Sequence, residues 1–270
     1  MNIPPPPPNA QNPLQRLMRV MDAIRQHCPW DQKQNMESIR YLTLEETYEL
    51  SEAILNQKPE AIQEELGDVL FHIVYYSRLA REKAWFDIEA VINGAAEKII
   101  RRHPHVFGGE DLQDERAVKQ SWEAIKAKER GPDARLLDGV PQSLPAMIKA
   151  LRMQEKARGV GFDWDDIAPV REKVSEEWEE LHQAQSPEER EEEFGDLLFA
   201  LINYARFLDI NPENALEKTN QKFKRRLGYI ETHARNNGRT LSQMTLEEME
   251  ALWQAAKGDD QRDQKTFTTR

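Results

Sequence analysis

Gln57-Lys58-Pro59-Glu60-Ala61-Ile62-Gln63-Glu64-Glu65-Leu66-Gly67-Asp68 returns without a gap as Gln185-Ser186-Pro187-Glu188-Glu189-Arg190-Glu191-Glu192-Glu193-Phe194-Gly195-Asp196, so the chain repeats itself. The Gln, Pro, Gly and Asp positions and three of the Glu positions match across the 128-residue offset. Working outward, Trp30-Asp31 corresponds to Trp164-Asp165, and Glu45-Glu46-x-x-Glu49-Leu50 to Glu176-Glu177-x-x-Glu180-Leu181. Downstream, Lys98-x-x-Arg101-Arg102 pairs with Lys222-x-x-Arg225-Arg226, and Trp122-x-x-x-Lys126 with Trp253-x-x-x-Lys257. So long a period argues for two tandem domains rather than a solenoid of short repeats.

The composition agrees with two helical domains. A chain of 270 residues can bury two cores. Only 12 glycines, with Glu, Leu, Ala, Lys and Arg in abundance, predict an all-α fold and argue against a parallel sheet. The predicted organisation is a Pro-rich tail (1–12), an N-terminal helical domain (13–130), a Gly-, Pro- and Asp-containing linker (131–145), a C-terminal helical domain (146–257) and a polar tail (258–270). In the first domain the periodicity predicts helices from Pro13 to the Cys28-Pro29 stop, then Met36 to Leu55, Ala61 to Glu82, Ile88 to Arg102 and Asp114 to Lys128. Leu70, Ile73 and Val74, with Leu198, Leu201 and Ile202, are predicted to be core.

Charge excludes some functions. A net charge of -11 disfavours groove binding to nucleic acid. No stretch approaches the ~20 apolar residues that cross a bilayer. The single Cys28 cannot form an internal disulfide and no signal-peptide pattern is visible, so a soluble cytoplasmic protein is expected.

In each copy a Glu-Glu-x-x-Glu precedes, by one short turn, a Glu-x-x-Asp on the next helix. Residues three apart share a helix face, so Glu46 with Glu49, and Glu65 with Asp68, form two carboxylate pairs on antiparallel neighbours. Glu177, Glu180, Glu193 and Asp196 repeat the construction. Four converging carboxylates repel unless a cation sits among them or protons are taken up. An all-oxygen donor set favours Mg²⁺, with Mn²⁺ as the alternative, over Zn²⁺. Mg²⁺ keeps waters and bridges to phosphates, which points to a phosphorylated ligand. Glu177→Gln is therefore expected to relieve repulsion in the metal-free protein.

Lys222, Arg225 and Arg226, and Lys98, Arg101 and Arg102 in the first copy, supply cations suited to phosphate oxygens. Surface salt bridges to the acidic helices are the alternative use for them. Trp122 and Trp253 offer flat surfaces for a base or simply pack. Gly67 and Gly195 predict close helix approach beside the aspartates. His72, one turn beyond Asp68 and matched by Ala200, reads as structural. Asn203, two turns beyond Asp196 and replaced by Tyr75 in the first copy, is placed on the site face as a supporting residue.

These motifs, with Cys28-Pro29-Trp30-Asp31, Arg101-Arg102-His103-Pro104-His105-Val106-Phe107, Ser143-Leu144-Pro145-Ala146 and Val160-Gly161-Phe162-Asp163-Trp164, resemble the MazG-type all-α nucleoside triphosphate pyrophosphohydrolases over residues 13 to 257. The resemblance implies Mg²⁺-dependent hydrolysis of a (d)NTP to the monophosphate and diphosphate. It also implies a homodimer whose four-helix units are completed by partner helices. By the same pattern Glu177, Glu180, Glu193 and Asp196 hold the metal, while Lys222, Arg226 and Trp253 contact the nucleotide. Lys173, Glu176, Arg190 and Glu192 lie nearby. The first copy keeps Glu46, Glu49, Glu65 and Asp68, with Glu45, Lys98, Arg101, Arg102 and Trp122 as the equivalents of the nucleotide contacts. If one copy works alone, the second is expected to be that one.

A rival reading is a non-catalytic helical nucleotide sensor or interaction scaffold with a retained metal site. A hydrolase releasing the γ-phosphate is disfavoured, since no Gly-x-x-x-x-Gly-Lys-Ser/Thr loop is present.

Overall fold

A computed structural model describes residues 12–112, 114–131 and 135–267, so most of the Pro-rich tail and part of the predicted linker lie outside the described residues. The chain divides into two compact units, Met1–Pro132 and Asp133–Arg270. The first contains α1 (Pro13–His27), α2 (Arg40–Leu55), α3 (Pro59–Glu82), α4 (Ile88–Arg101), the single turn α5 (Pro104–Phe107) and α6 (Glu115–Arg130). The second contains α7 (Ala146–Gly159), α8 (Ile167–Gln183), α9 (Pro187–Phe207), α10 (Pro212–Asn236) and α11 (Leu246–Phe267). No strand occurs among the described residues. The last helix continues past the expected domain end at Lys257.

The helix boundaries follow local chemistry. Asn12 caps α1 through its Oδ1, which accepts from the Leu14 and Gln15 amides, and Pro13 takes the first helical position, where it needs no N–H partner. The second helix starts at Arg40, not Met36. The Asn35 side chain accepts from the amides of Glu37 and Ser38 at 2.9 and 3.0 Å, holding this segment in a turn. A Pro at the first position also starts α5, a turn that periodicity alone did not reveal.

Each unit is built on one long antiparallel hairpin, α2 with α3 and α8 with α9. The two connections reach the same geometry differently. In the first, Gln57 adopts φ of 53° ahead of Pro59. In the second, Ser186 and Glu189 form a reciprocal capping box, with Ser186 Oγ accepting from the Glu189 amide at 3.1 Å, just ahead of Pro187. Preceding helices brace these hairpins: α1 packs on α3, and α7 on α9.

Met21, Ile39, Val74, Tyr75, Leu79 and Ile88 form the core of the first unit, with Leu14, Leu17, Met18 and Leu42 packed against it. Val170, Leu197, Ile202 and Ile230 are buried in the second. Ion pairs fasten α1 to α3: Arg25 Nε and Nη2 donate to the two Glu82 carboxylate oxygens at 2.8 and 2.9 Å, and Arg78 and Arg81 both donate to Asp22 Oδ1.

The predicted core is only partly correct. Val74 and Ile202 are buried, but Leu70, Ile73, Leu198 and Leu201 are each about 40% exposed (42, 40, 43 and 42%). They belong to an uncovered apolar stripe that begins at Leu66 on α3 and Phe194 on α9, spaced one and then almost two turns along each helix. The close helix approach expected at Gly67 and Gly195 is also absent within the chain, since an added Cβ at either position meets nothing within 4 Å. Both glycines lie beside the open stripe of their own hairpin, with space around them among the described residues.

Candidate metal and nucleotide site

On each hairpin three glutamates converge. Glu46, Glu49 and Glu65 bring carboxylate oxygens within 4.8 Å of one another, as do Glu177, Glu180 and Glu193. Two come from the first helix of the hairpin, three residues apart, and one from the second. The short connection sets the facing register. Asp68 and Asp196 are not in these trios. Each lies one turn beyond the third glutamate, near enough for its charge to be felt.

The electrostatics of the clusters are those of incompletely matched negative charge. Burial, then Asp68, Glu49 and Glu65, raises the pKa of Glu46. Partial burial followed by the charges of Glu49 and Asp68 does the same to Glu65. In the second copy Glu193 is raised by partial burial and then by Glu180, Asp196 and Glu177. Glu65 Oε2 is buried with no hydrogen-bond partner among the described residues. Buried polar oxygens are almost always satisfied, so this lone pair and the surrounding carboxylates fit a hard divalent cation.

The residues expected around a nucleotide are dispersed over several helices. Lys173 Nζ lies 2.8 Å from Glu176 and 2.5 Å from Glu177, whose carboxylate is buried. Arg190 and Glu192 are exposed on the first turns of α9. On α10 and α11 the Arg226 guanidinium sits 5.2 Å from the Trp253 ring centroid, with Phe223 at 5.3 Å on the same indole. Lys222 and Arg225 are exposed on α10.

The first copy treats its equivalents differently in detail. Arg101 and Arg102 both clasp Glu129 of α6, at 2.7 and 2.5 Å, holding that carboxyl at about 2. This is the salt-bridge use of the cations. Trp122 packs edge-on against His103 at 5.0 Å. Glu45 and Lys98 are exposed.

Asn203 is buried, and its Oδ1 accepts from Arg206 at 2.7 and 3.0 Å while Arg206 pairs with Asp163. It therefore anchors α9 to the segment before α8. His72 is bonded through Nδ1 to Thr43 Oγ1 at 2.8 Å, and Thr43 also meets Tyr76 at 2.6 Å. Sequence reading missed this bridge between α2 and α3, the Asp163–Arg206 pair and the clasp on Glu129. The match of Arg78 with Arg206 at the repeat offset was the one available signal for the helix-fastening arginines.

The fold and the acid trios define a class: tandem all-α chains in which each helix hairpin presents a carboxylate cluster suited to a divalent ion. A family model of the MazG nucleotide pyrophosphohydrolase domain matches residues 34–107, a segment holding the first trio. The chain is 43% identical over 251 residues to the nucleoside triphosphate pyrophosphohydrolase/pyrophosphatase MazG of Thermotoga maritima, covering 92% of this chain and 97% of that protein. It is 40% identical over 256 residues to the nucleoside triphosphate pyrophosphohydrolase of Escherichia coli K12, covering 91% and 97%. The Bacillus subtilis protein YabN is 46% identical over 240 residues, 87% of this chain and 49% of its own length. The chain belongs to the MazG family.

Proposed function

We propose that the protein hydrolyses nucleoside triphosphates at the α–β phosphoanhydride, giving a nucleoside monophosphate and diphosphate, with Mg²⁺ held by the acid clusters. The observation that carries this reading is the trio of facing glutamates, present twice on matched hairpins. Full-length relatives named as nucleoside triphosphate pyrophosphohydrolases support it.

Glu177, Glu180 and Glu193 would hold the ion in the second copy, with Asp196 beside them, and Glu46, Glu49, Glu65 and Asp68 in the first. A divalent ion bound there supplies Lewis acidity toward phosphate oxygens and makes water a better nucleophile at neutral pH. Lys222 and Arg226 offset the charge that develops as the anhydride opens. The O–P bond from water forms as the bridging P–O bond breaks. Trp253, packed against Arg226 and Phe223 of α10, offers an indole surface for the base. Lys173, Glu176, Arg190 and Glu192 line the approach. In the first copy Glu129 already occupies Arg101 and Arg102, so a nucleotide there must displace a carboxylate.

The working form is a homodimer. Each hairpin leaves a regular apolar stripe open, Leu66, Leu70 and Ile73 or Phe194, Leu198 and Leu201. Because the stripes repeat the same residue classes at the same spacing, a second copy of the chain is their natural cover. Gly67 and Gly195 on the open faces give its helices room to approach. No described helix is long and apolar enough to cross a membrane, and the lone, unpaired Cys28 suits a reducing cytoplasm.

Product analysis tests this reading. The protein with Mg²⁺ is offered each common NTP and dNTP, beside Glu65→Gln and Glu193→Gln. Monophosphate and pyrophosphate, lost in one variant, establish the reaction and the working copy. Nucleotide binding without turnover in any case refutes it in favour of a sensor.

A further inference from the structure

The two acid trios differ at the position one turn before the first glutamate of each. On α8, Lys173 precedes Glu177 by one turn and pairs with it at 2.5 Å, its side chain 38% exposed and that of Glu177 only 6% exposed. The repeat aligns Lys173 with Leu42, one turn before Glu46, and Leu42 packs against the core of the first unit. The second trio therefore carries a cation of its own. The matching position in the first holds an apolar side chain.

We propose that Lys173 is a resident counter-cation: it makes the second trio the weaker site for a free divalent ion and ties loading of that site to the arrival of a polyphosphate. This deepens, and rests on, the reading of the trios as metal sites. The buried Glu177 oxygen bonded to Lys173 cannot serve a metal ion while an ammonium occupies it, because the two positive charges would share one carboxylate. Lysine ends in a compact charge on a flexible stem, and this one is over a third exposed, so it can leave Glu177 without disturbing α8. The ammonium it releases then becomes available to phosphate oxygens. The first trio has no such step and takes its ion before any nucleotide is present.

Binding of Mn²⁺ alone to the nucleotide-free full chain, followed by the electron paramagnetic resonance of free Mn²⁺, tests the assignment. Two classes of site are expected, with Glu65→Gln removing the tighter and Glu193→Gln the weaker. Lys173→Met should tighten the weaker class about tenfold, the weight of one charged hydrogen bond. Lys173→Arg, which keeps the ion pair, should leave it weak. Equal classes in the wild type, loss of the tighter class in Glu193→Gln, or unchanged affinity in a folded Lys173→Met protein overturns the proposal. Should Lys173→Met not fold, the assignment by the two acid variants still decides the order of affinities. Absence of Mn²⁺ binding at either trio would instead overturn the metal-site reading beneath it.

Discussion

Replacing Glu46 by Gln should make the metal-free protein more stable and the metal-loaded protein less so. Glu46 shares its cluster with carboxylates whose oxygens lie within 4.8 Å. Two unit charges at that separation repel by roughly 3 kcal/mol in a medium of effective dielectric near 20. Glu46 is only partly buried, and solvent screening reduces its share to about 1 kcal/mol. For a unit of this size that moves the melting midpoint by about 4 °C.

The sign with pH follows from the raised pKa of Glu46. The folded state prefers the protonated carboxyl, so its penalty appears as pH climbs through the ordinary carboxylate range and is complete above the raised value. In EDTA at pH 8 Glu46→Gln should melt about 4 °C above the wild type, and near pH 4 the gain should fade. Mn²⁺ at a hundred times its Kd adds about 2.7 kcal/mol to the wild type, roughly 10 °C, and little to a variant missing one ligand. The order of the two melting points therefore reverses. Scanning calorimetry of the full chain under these conditions measures both effects. A Glu46→Gln midpoint equal to or below the wild type in EDTA at pH 8 would refute the repulsion argument, and an undiminished Mn²⁺ shift would refute the ligand assignment.

Glu177→Gln should abolish turnover by the second copy. Here the structure reverses the expectation from sequence, because Lys173 already balances Glu177, and its metal-free midpoint should fall rather than rise; a higher midpoint in EDTA would contradict the pairing. Leu198→Glu places a charge in the open stripe of α9 and should convert a dimer to a monomer, read as mass by light scattering; an unchanged mass would discount that stripe as the contact. Glu129 is held at about 2 by Arg102 and Arg101, so its contribution to docking α6 is present above the ordinary carboxylate pKa and is lost as pH falls through about 2. Protection of the α6 amides should fall progressively from the ordinary carboxylate range down to about pH 2, and Glu129→Gln should lower it already at neutral pH.

The hairpins and their acids were legible because both rest on short-range rules. Periodicity, the Pro at the start of α3 and α9, and three-residue spacing place Glu46 with Glu49 and orient Glu65 toward them. The duplication then distinguishes the pattern from an ordinary solvated face. Ion-pair partners were not legible, because Arg25 meets Glu82, and Arg206 meets Asp163, across many residues with no local spacing to signal them. The apolar face of α3 was recognised, but helical period cannot tell whether the same chain covers it. Leu70 and Ile73 were therefore assigned to a core, whereas each is about 40% exposed among the described residues (42 and 40%). The start of α2 was missed because Asn35 offers its own side chain to the amides that would otherwise begin the helix.

The carboxylates of each trio come from adjacent helices joined by a turn of a few residues, so Glu46 and Glu65 lie only 19 positions apart. Few chain ends must be brought together before these side chains meet, and the entropy of loop closure is small. Closing such a hairpin costs less chain entropy than pairing α1 with α3 across the whole of α2. The mutual repulsion of the acids is therefore met during folding and not only after it, and a divalent ion present at that stage would speed refolding as well as stabilise the product. The same locality lets a single segmental duplication carry a whole binding centre to a new place in the chain, leaving each copy able to diverge in what surrounds it.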